Sequence, residues 1–216
     1  DLKCLSVHIG SQILDYKPYE KMLRVVDRII NKINHKFEFI DLGGGMGISY
    51  KYKDKKLNYS KYSEIIKKFL KKHKSKIIFE PGRSIIGDTG ILISKIIYIK
   101  KNDSKNFIIL DAAMNDLMRP ALYGAHHKIL PSTKSKKKSN KTYEFVGPIC
   151  ESTDKFNTLK NFQELEEKDL IAICDVGAYG MSLSSNYNVR LKPSEILIKG
   201  SKIKIIRKKQ KYKDLM

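Results

Sequence analysis

The sequence predicts two successive architectures: an α/β unit that is part of a parallel barrel, then, from about residue 90, a mainly β domain. Three observations lead there. Residues 1–90 alternate short apolar runs with helical periodicity, the pattern of βα units around a parallel sheet. Each apolar run ends in polar or glycine-rich residues, at the face where α/β barrels build their sites. Residues 91–216 change rhythm to short strand-like runs separated by turns, with little sustained helical periodicity.

Taken in order, Leu5-Ser6-Val7-His8-Ile9 reads as a strand. Residues 19–33 then place Met22, Leu23, Val26, Ile29, Ile30 and Ile33 at the three-and-four spacing of a core-facing helix. Residues 37–42 form the next strand and run into glycines. Ser60 caps a second helix reaching Lys72, with Tyr62, Ile65, Ile66, Phe69 and Leu70 on its buried side. Residues 76–80 make a third strand, closed by Pro81-Gly82. A complete barrel needs eight strands and roughly 250 residues, so this one is partial. In the second domain, residues 91–99, 107–111, 143–146, 170–174 and 203–206 read as strands.

The chain has 216 residues, 41% of them hydrophobic, enough to bury one large domain or two small ones. No apolar run is long enough to span a bilayer, and the start shows no signal-peptide pattern. Cys4, Cys150 and Cys174 are an odd count without zinc-type spacing, so no metal is expected and a reducing, cytoplasmic setting is the simplest reading. The formal charge of +20 raises nucleic acid or anionic membrane as partners. Lysines are spread over the whole chain while arginine, the better base and phosphate reader, is rare, which favours compositional bias over specific nucleic-acid binding. The lysine-rich run 134–141 reads as a solvated, mobile loop, with weak non-specific phosphate affinity as the lesser reading.

Chemistry concentrates at the strand ends: His8-Ile9-Gly10-Ser11, then Gly43-Gly44-Gly45-Met46-Gly47, then Glu80-Pro81-Gly82-Arg83. Glycines after a strand let backbone amides approach an anion, although a tight strand-to-helix turn explains the run equally well. Arg83 suits a phosphate or carboxylate; its bland alternative is a surface ion pair. In this order the blocks resemble the pyridoxal-phosphate decarboxylases of alanine-racemase-like fold, the group containing diaminopimelate, ornithine and arginine decarboxylases. Further segments resemble the diaminopimelate branch: 111–123 around Met118-Arg119-Pro120, then Val146-Gly147-Pro148-Ile149-Cys150-Glu151-Ser152, then Gly177-Ala178-Tyr179-Gly180-Met181. In ornithine-type relatives an aspartate typically follows the cysteine where Glu151 stands here.

The resemblance implies a pyridoxal 5'-phosphate cofactor and removal of carbon dioxide from meso-2,6-diaminopimelate to give L-lysine. It implies that His8 stacks on the pyridine ring, that Ser11, Gly44 and Gly45 hold the phosphate with Gly82 and Arg83, and that Glu80 pairs with the ring nitrogen. Arg83, Arg119 and Tyr123 bind substrate carboxylates, Glu151 binds the distal ammonium, and Tyr179 touches both cofactor and substrate. Cys150 supplies the proton after carbon dioxide leaves, a task suited to a thiol of ordinary pKa near ~8.5. The family forms homodimers with shared sites. Its cofactor-binding lysine lies upstream of the histidine block, so the chain is expected to be the carboxyl-terminal portion of a longer product, a decayed or split gene being the other reading. Two further alternatives are a related basic-amino-acid decarboxylase and a non-catalytic or regulatory remnant of the same fold.

Overall fold

The computed structural model describes residues 2–52, 54–103, 105–134 and 137–216. Backbone contacts divide the chain into two compact units, Asp1–Thr89 and Gly90–Met216.

The first unit is a βαβαβ array. Strands β1 (Cys4–Ser6), β2 (Phe39–Asp41) and β3 (Lys76–Ile78) pair in parallel in that order, connected by helices α1 (Lys17–Ile33) and α2 (Tyr59–His73). Parallel strands need such crossovers because a hairpin cannot return the chain in the same direction. Pro18 sits in the first turn of α1, where its missing amide costs nothing. Asn34 closes the helix in the left-handed conformation, its amide donating to Ile30 O at 3.0 Å. Tyr19, Met22, Leu23, Val26 and Ile30 bury against Ile40, Leu42 and the α2 residues Tyr62, Ile66 and Phe69. Ile29 and Ile33, expected on that face, stay exposed, Ile29 at the edge of the stripe and Ile33 on the last turn.

The cap of α2 also differs from expectation. Asn58, in extended backbone, accepts the Lys61 amide at 3.0 Å, whereas Ser60 already lies within the first turn. The strands are shorter than their apolar runs: β1 ends at Ser6 and β3 at Ile78, so His8 and Glu80 belong to the loops beyond the strand ends. A short helix α3 (Arg83–Ile86) follows β3.

The second unit is a six-stranded sheet in the order β6-β9-β4-β5-β7-β8, built from β4 (Ile91–Lys101), β5 (Lys105–Leu110), β6 (Ile129–Pro131), β7 (Thr142–Val146), β8 (Lys155–Lys160) and β9 (Leu170–Cys174). All its pairings are antiparallel except β5 with β7. One face buries Ile96, Ile108, Leu110, Phe145, Ile171 and Ile173. Four elements of this unit were not legible as strand or helix: β6, β8, β10 (Glu195–Lys199) and the single-turn helix α4 (Arg119–Tyr123). The run around residue 203 is β11 (Lys202–Arg207), which pairs antiparallel with β10 (Glu195–Lys199). In the lysine-rich run, Ser135 and Lys136 lie outside the described residues. The rest is less loose than expected: Ser139 N donates to Phe162 O at 2.8 Å and Glu164 N to Lys137 O at 3.1 Å.

Helices α1 and α2 are tied by Asp27, which accepts from Lys72 Nζ at 2.7 Å and meets His73 Nε2 at 2.7 Å. The hydrogen bond from Lys72 holds the Asp27 carboxyl below the usual carboxylate range; burial opposes it, and the hydrogen bond from His73 adds to the lowering. A carboxylate with a depressed folded pKa stabilises the fold above its unfolded pKa near ~3.9, and that contribution is lost as pH falls through the folded value. Asp27→Asn is therefore expected to cost up to about 1 kcal/mol at neutral pH and to flatten the acid side of the stability profile. Thermal melts of both proteins between neutral pH and the acid limit check this; parallel profiles would contradict it.

Candidate active site

In the first unit the three strand ends bring one set of groups together. A Cβ on Gly44 would lie 2.2 Å from the Glu80 carbonyl oxygen, so only glycine lets β2 and β3 approach this closely at their ends. Glu80 N donates to Gly43 O at 2.9 Å, and Gly45 O accepts from Ile13 N at 2.9 Å. His8 stands at the first strand end with Nδ1 accepting from the Gly44 amide at 3.3 Å, which places the proton of the neutral ring on Nε2. The Gly44 amide, expected to meet a phosphate, is thus engaged with His8. Gly82 precedes α3, and its carbonyl accepts from Ile86 N at 3.3 Å.

Arg83 is the hub of this edge. Its Nη2 donates to Ser11 Oγ at 3.1 Å and its Nη1 to Tyr50 Oη at 2.6 Å. Beside Ser11 the space is open: apart from the chain neighbours Ile9 and Ser11, no other described residue comes within 4 Å of where a side chain on Gly10 would begin. A hydroxyl and a guanidinium next to an open strand end form a donor set suited to a phosphoryl group, and the exposed carboxylate of Glu80 is available to a protonated ring nitrogen. The residues present fit the cofactor that the strand-end motifs imply. Tyr50 was not legible as part of this edge.

The second unit holds the other expected residues. Arg119 opens α4, is nearly buried, and donates from Nη1 to His127 Nε2 at 2.8 Å. Tyr123 ends the same helix and is exposed. Cys150 and Glu151 lie exposed in the loop between β7 and β8, and Tyr187 Oη donates to Glu151 Oε1. That hydrogen bond, then the charge of Glu151, pushes the Tyr187 hydroxyl up. Tyr179 adopts φ +64, a left-handed conformation costly for a non-glycine residue and typical of functional turns. Cys4 is exposed and Cys174 is half-buried. No group of three or more potential metal ligands occurs among the described residues.

One buried carboxylate organises this unit. Asp154 is 3% exposed; its Oδ2 accepts from Ile149 N at 2.8 Å and its Oδ1 from Met114 N at 2.7 Å. It fixes the residue before Cys150 and, through Met114, the segment leading to Arg119. A Cβ on Gly147 would fall 2.2 Å from Asp154 Oδ2, so glycine is required there. Burial pushes the Asp154 carboxyl up, while the Ile149 and Met114 amides and Arg190 oppose that push. Arg190 in turn donates from Nε to Asn115 Oδ1 at 2.9 Å. Asp154, Tyr187, Arg190 and His127 were not legible in the sequence because polar partners brought together from distant positions leave no periodicity. Proximity was the available signal: Asp154 lies just past the cysteine motif. Asp154→Ala leaves one buried amide, Ile149 N, and one part-buried amide, Met114 N, without an acceptor; it is expected to cost about 2 kcal/mol in chemical denaturation, and to change the alkylation rate of Cys150 several-fold while that of Cys4 stays fixed. A stability loss under about 0.5 kcal/mol with unchanged Cys150 labelling would contradict the assignment.

Comparison with known proteins agrees across sequence and structure. Residues 15–177 match the family model described as "Pyridoxal-dependent decarboxylase, C-terminal sheet domain". The chain is similar to the diaminopimelate decarboxylase of Aquifex aeolicus, 42% identical over 209 residues, covering 95% of this chain and 49% of that protein. Among solved structures it resembles the Helicobacter pylori diaminopimelate decarboxylase complexed with L-lysine (TM-score 0.87, 41% identity, 98% of this chain and 53% of that one). It also resembles the M. jannaschii enzyme in co-complex with L-lysine (TM-score 0.90, 34% identity, 97% and 50%). The chain spans about half the length of the curated relatives it matches. With strand-end motifs, fold and comparisons in agreement, the chain belongs to the pyridoxal-dependent decarboxylase family.

Proposed function

We propose that this chain supplies the carboxyl-terminal portion of a diaminopimelate decarboxylase, which removes carbon dioxide from the D-centre of meso-2,6-diaminopimelate to give L-lysine. The observation that carries the reading is the co-occurrence, in one chain, of the Ser11–Arg83 pair at the parallel strand ends and the Asp154-anchored segments bearing Arg119, Cys150 and Glu151. The two relatives solved with L-lysine support the choice of substrate.

Pyridoxal phosphate, when bound, supplies the electron sink that accepts the pair released from the breaking Cα–carboxylate bond. Ser11, Gly45, Gly82 and Arg83 would hold its phosphate, His8 would stack on its ring, and Glu80 would keep the ring nitrogen protonated. Arg119 and Tyr123 bind substrate carboxylate, for which a planar guanidinium offers a bidentate fork that lysine lacks. Glu151, oriented by Tyr187, takes the distal ammonium, a role the shorter aspartate of ornithine-type relatives would fill at a different reach. The Cys150 thiol delivers its proton to the carbon that loses carbon dioxide. Tyr179, held in its strained turn, would contact both cofactor and substrate. Cys150 and Glu151, exposed on one loop, enter the site of a partner subunit in a homodimer. Three free cysteines suit a reducing, cytoplasmic compartment. No helix among the described residues is long and apolar enough to cross a membrane.

The test joins this chain in frame to the half of the Aquifex aeolicus protein that it does not cover, and follows lysine and carbon dioxide release from meso-diaminopimelate. Lysine formation is expected, with Cys150→Ala lowering kcat about 10²-fold or more and leaving KM within a few-fold. A folded, cofactor-loaded protein that makes no lysine would sink the reading, and turnover of ornithine in place of diaminopimelate would transfer it to the related basic-amino-acid decarboxylases.

A further inference from the structure

His127 is fully buried and both of its ring nitrogens are engaged: Nδ1 lies 2.8 Å from the Cys174 carbonyl oxygen and Nε2 lies 2.8 Å from Arg119 Nη1. The chemistry of the two partners fixes the ring. A carbonyl oxygen only accepts, so Nδ1 carries the proton; a guanidinium only donates, so Nε2 presents its lone pair. An imidazolium would aim an N–H at another N–H and set two cations side by side. His127 is therefore neutral and held in the Nδ1–H tautomer. Its backbone is fixed as well, with Asn157 Nδ2 donating to His127 O at 2.7 Å and Cys174 N donating to Lys128 O at 2.8 Å.

Burial makes this arrangement consequential. Arg119 is 6% exposed, and a buried guanidinium whose plane is fixed can meet a carboxylate with two parallel hydrogen bonds, while a rotated one makes at most one. We propose that His127 is a positioning residue for substrate recognition, its neutral ring locked on the Cys174 carbonyl and setting the plane in which Arg119 presents itself to a substrate carboxylate. The proposal rests on the reading of Arg119 as a carboxylate ligand. It also links that ligand to β9, because Cys174 is the last residue of the strand that leads to the Tyr179 turn.

Two measurements test it. Nitrogen-15 correlation spectra of the full chain at neutral pH are expected to show His127 as the neutral Nδ1–H tautomer; an imidazolium or an Nε2–H tautomer overturns the proposal without touching the decarboxylase reading. In the chain joined to the uncovered Aquifex half, His127→Leu is expected to raise KM for diaminopimelate roughly tenfold or more with kcat little changed. His127→Gln, which restores an acceptor near the Nε2 position, is expected to recover most of the loss. Arg119→Ala separates the two claims. If Arg119→Ala raises KM and His127→Leu does not, the positioning role falls and the ligand role stands; if Arg119→Ala has no effect, both fall. Should the leucine variant fail to fold, the tautomer and the glutamine variant decide, and a glutamine variant that folds but binds no better than one with the Arg119 ligand deleted counts against the proposal.

Discussion

Two backbone amides from distant parts of the chain, Ile149 N and Met114 N, end on the two oxygens of one buried carboxylate, Asp154. Without it both amides would lack this acceptor, Ile149 N in a buried setting, at a cost of about 1–3 kcal/mol, and Met114 N in a part-buried one. With it the loop carrying Cys150 and Glu151 and the segment leading to Arg119 share a fixed point. The close seat of the carboxylate against Gly147 shows how little room the arrangement leaves. Arg190 adds a second tie by reaching Asn115 and Asp116 from a loop further along the chain.

The same device recurs across the molecule at different polarity. In the first unit a guanidinium is the shared point, with Arg83 joining Ser11 of the first strand end to Tyr50. In the second unit a neutral imidazole joins Arg119 to β9. In each case a side chain with two or more directional groups holds loop residues that the sheets by themselves would leave adaptable. Binding groups placed this way require less ordering when a ligand arrives, which is the physical content of a preorganised site.

The sequence revealed the outline of the fold because apolar periodicity reports burial. Helices α1 and α2 and strand β9 stood out as runs or stripes that no loop would carry. It overstated the strands of the first unit, since an apolar run continues past the last ladder bond into the loop: β1 stops at Ser6 although Val7 still donates to Asp41 O. It missed β8, whose Lys155-Phe156-Asn157-Thr158-Leu159-Lys160 pattern puts one apolar residue on each face and so shows no alternation, and β6, which is too short to show any. The cap of α2 went to Asn58 because capping depends on backbone angles, which composition does not reveal. The candidate site residues were named from the long motifs that carry them; Asp154, His127, Tyr187 and Arg190 lie outside those motifs, and their partners are far away in sequence.

The claim that Asp154 is the common anchor of the two substrate-side segments is tested most directly by amide hydrogen exchange. In the native chain the Met114 and Ile149 amides should exchange slowly. In Asp154→Ala both should accelerate together by tenfold or more, while amides in β4 and β9 keep their protection. If Met114 and Ile149 retain native protection in the variant, or if only one of them responds, the two segments do not share this anchor.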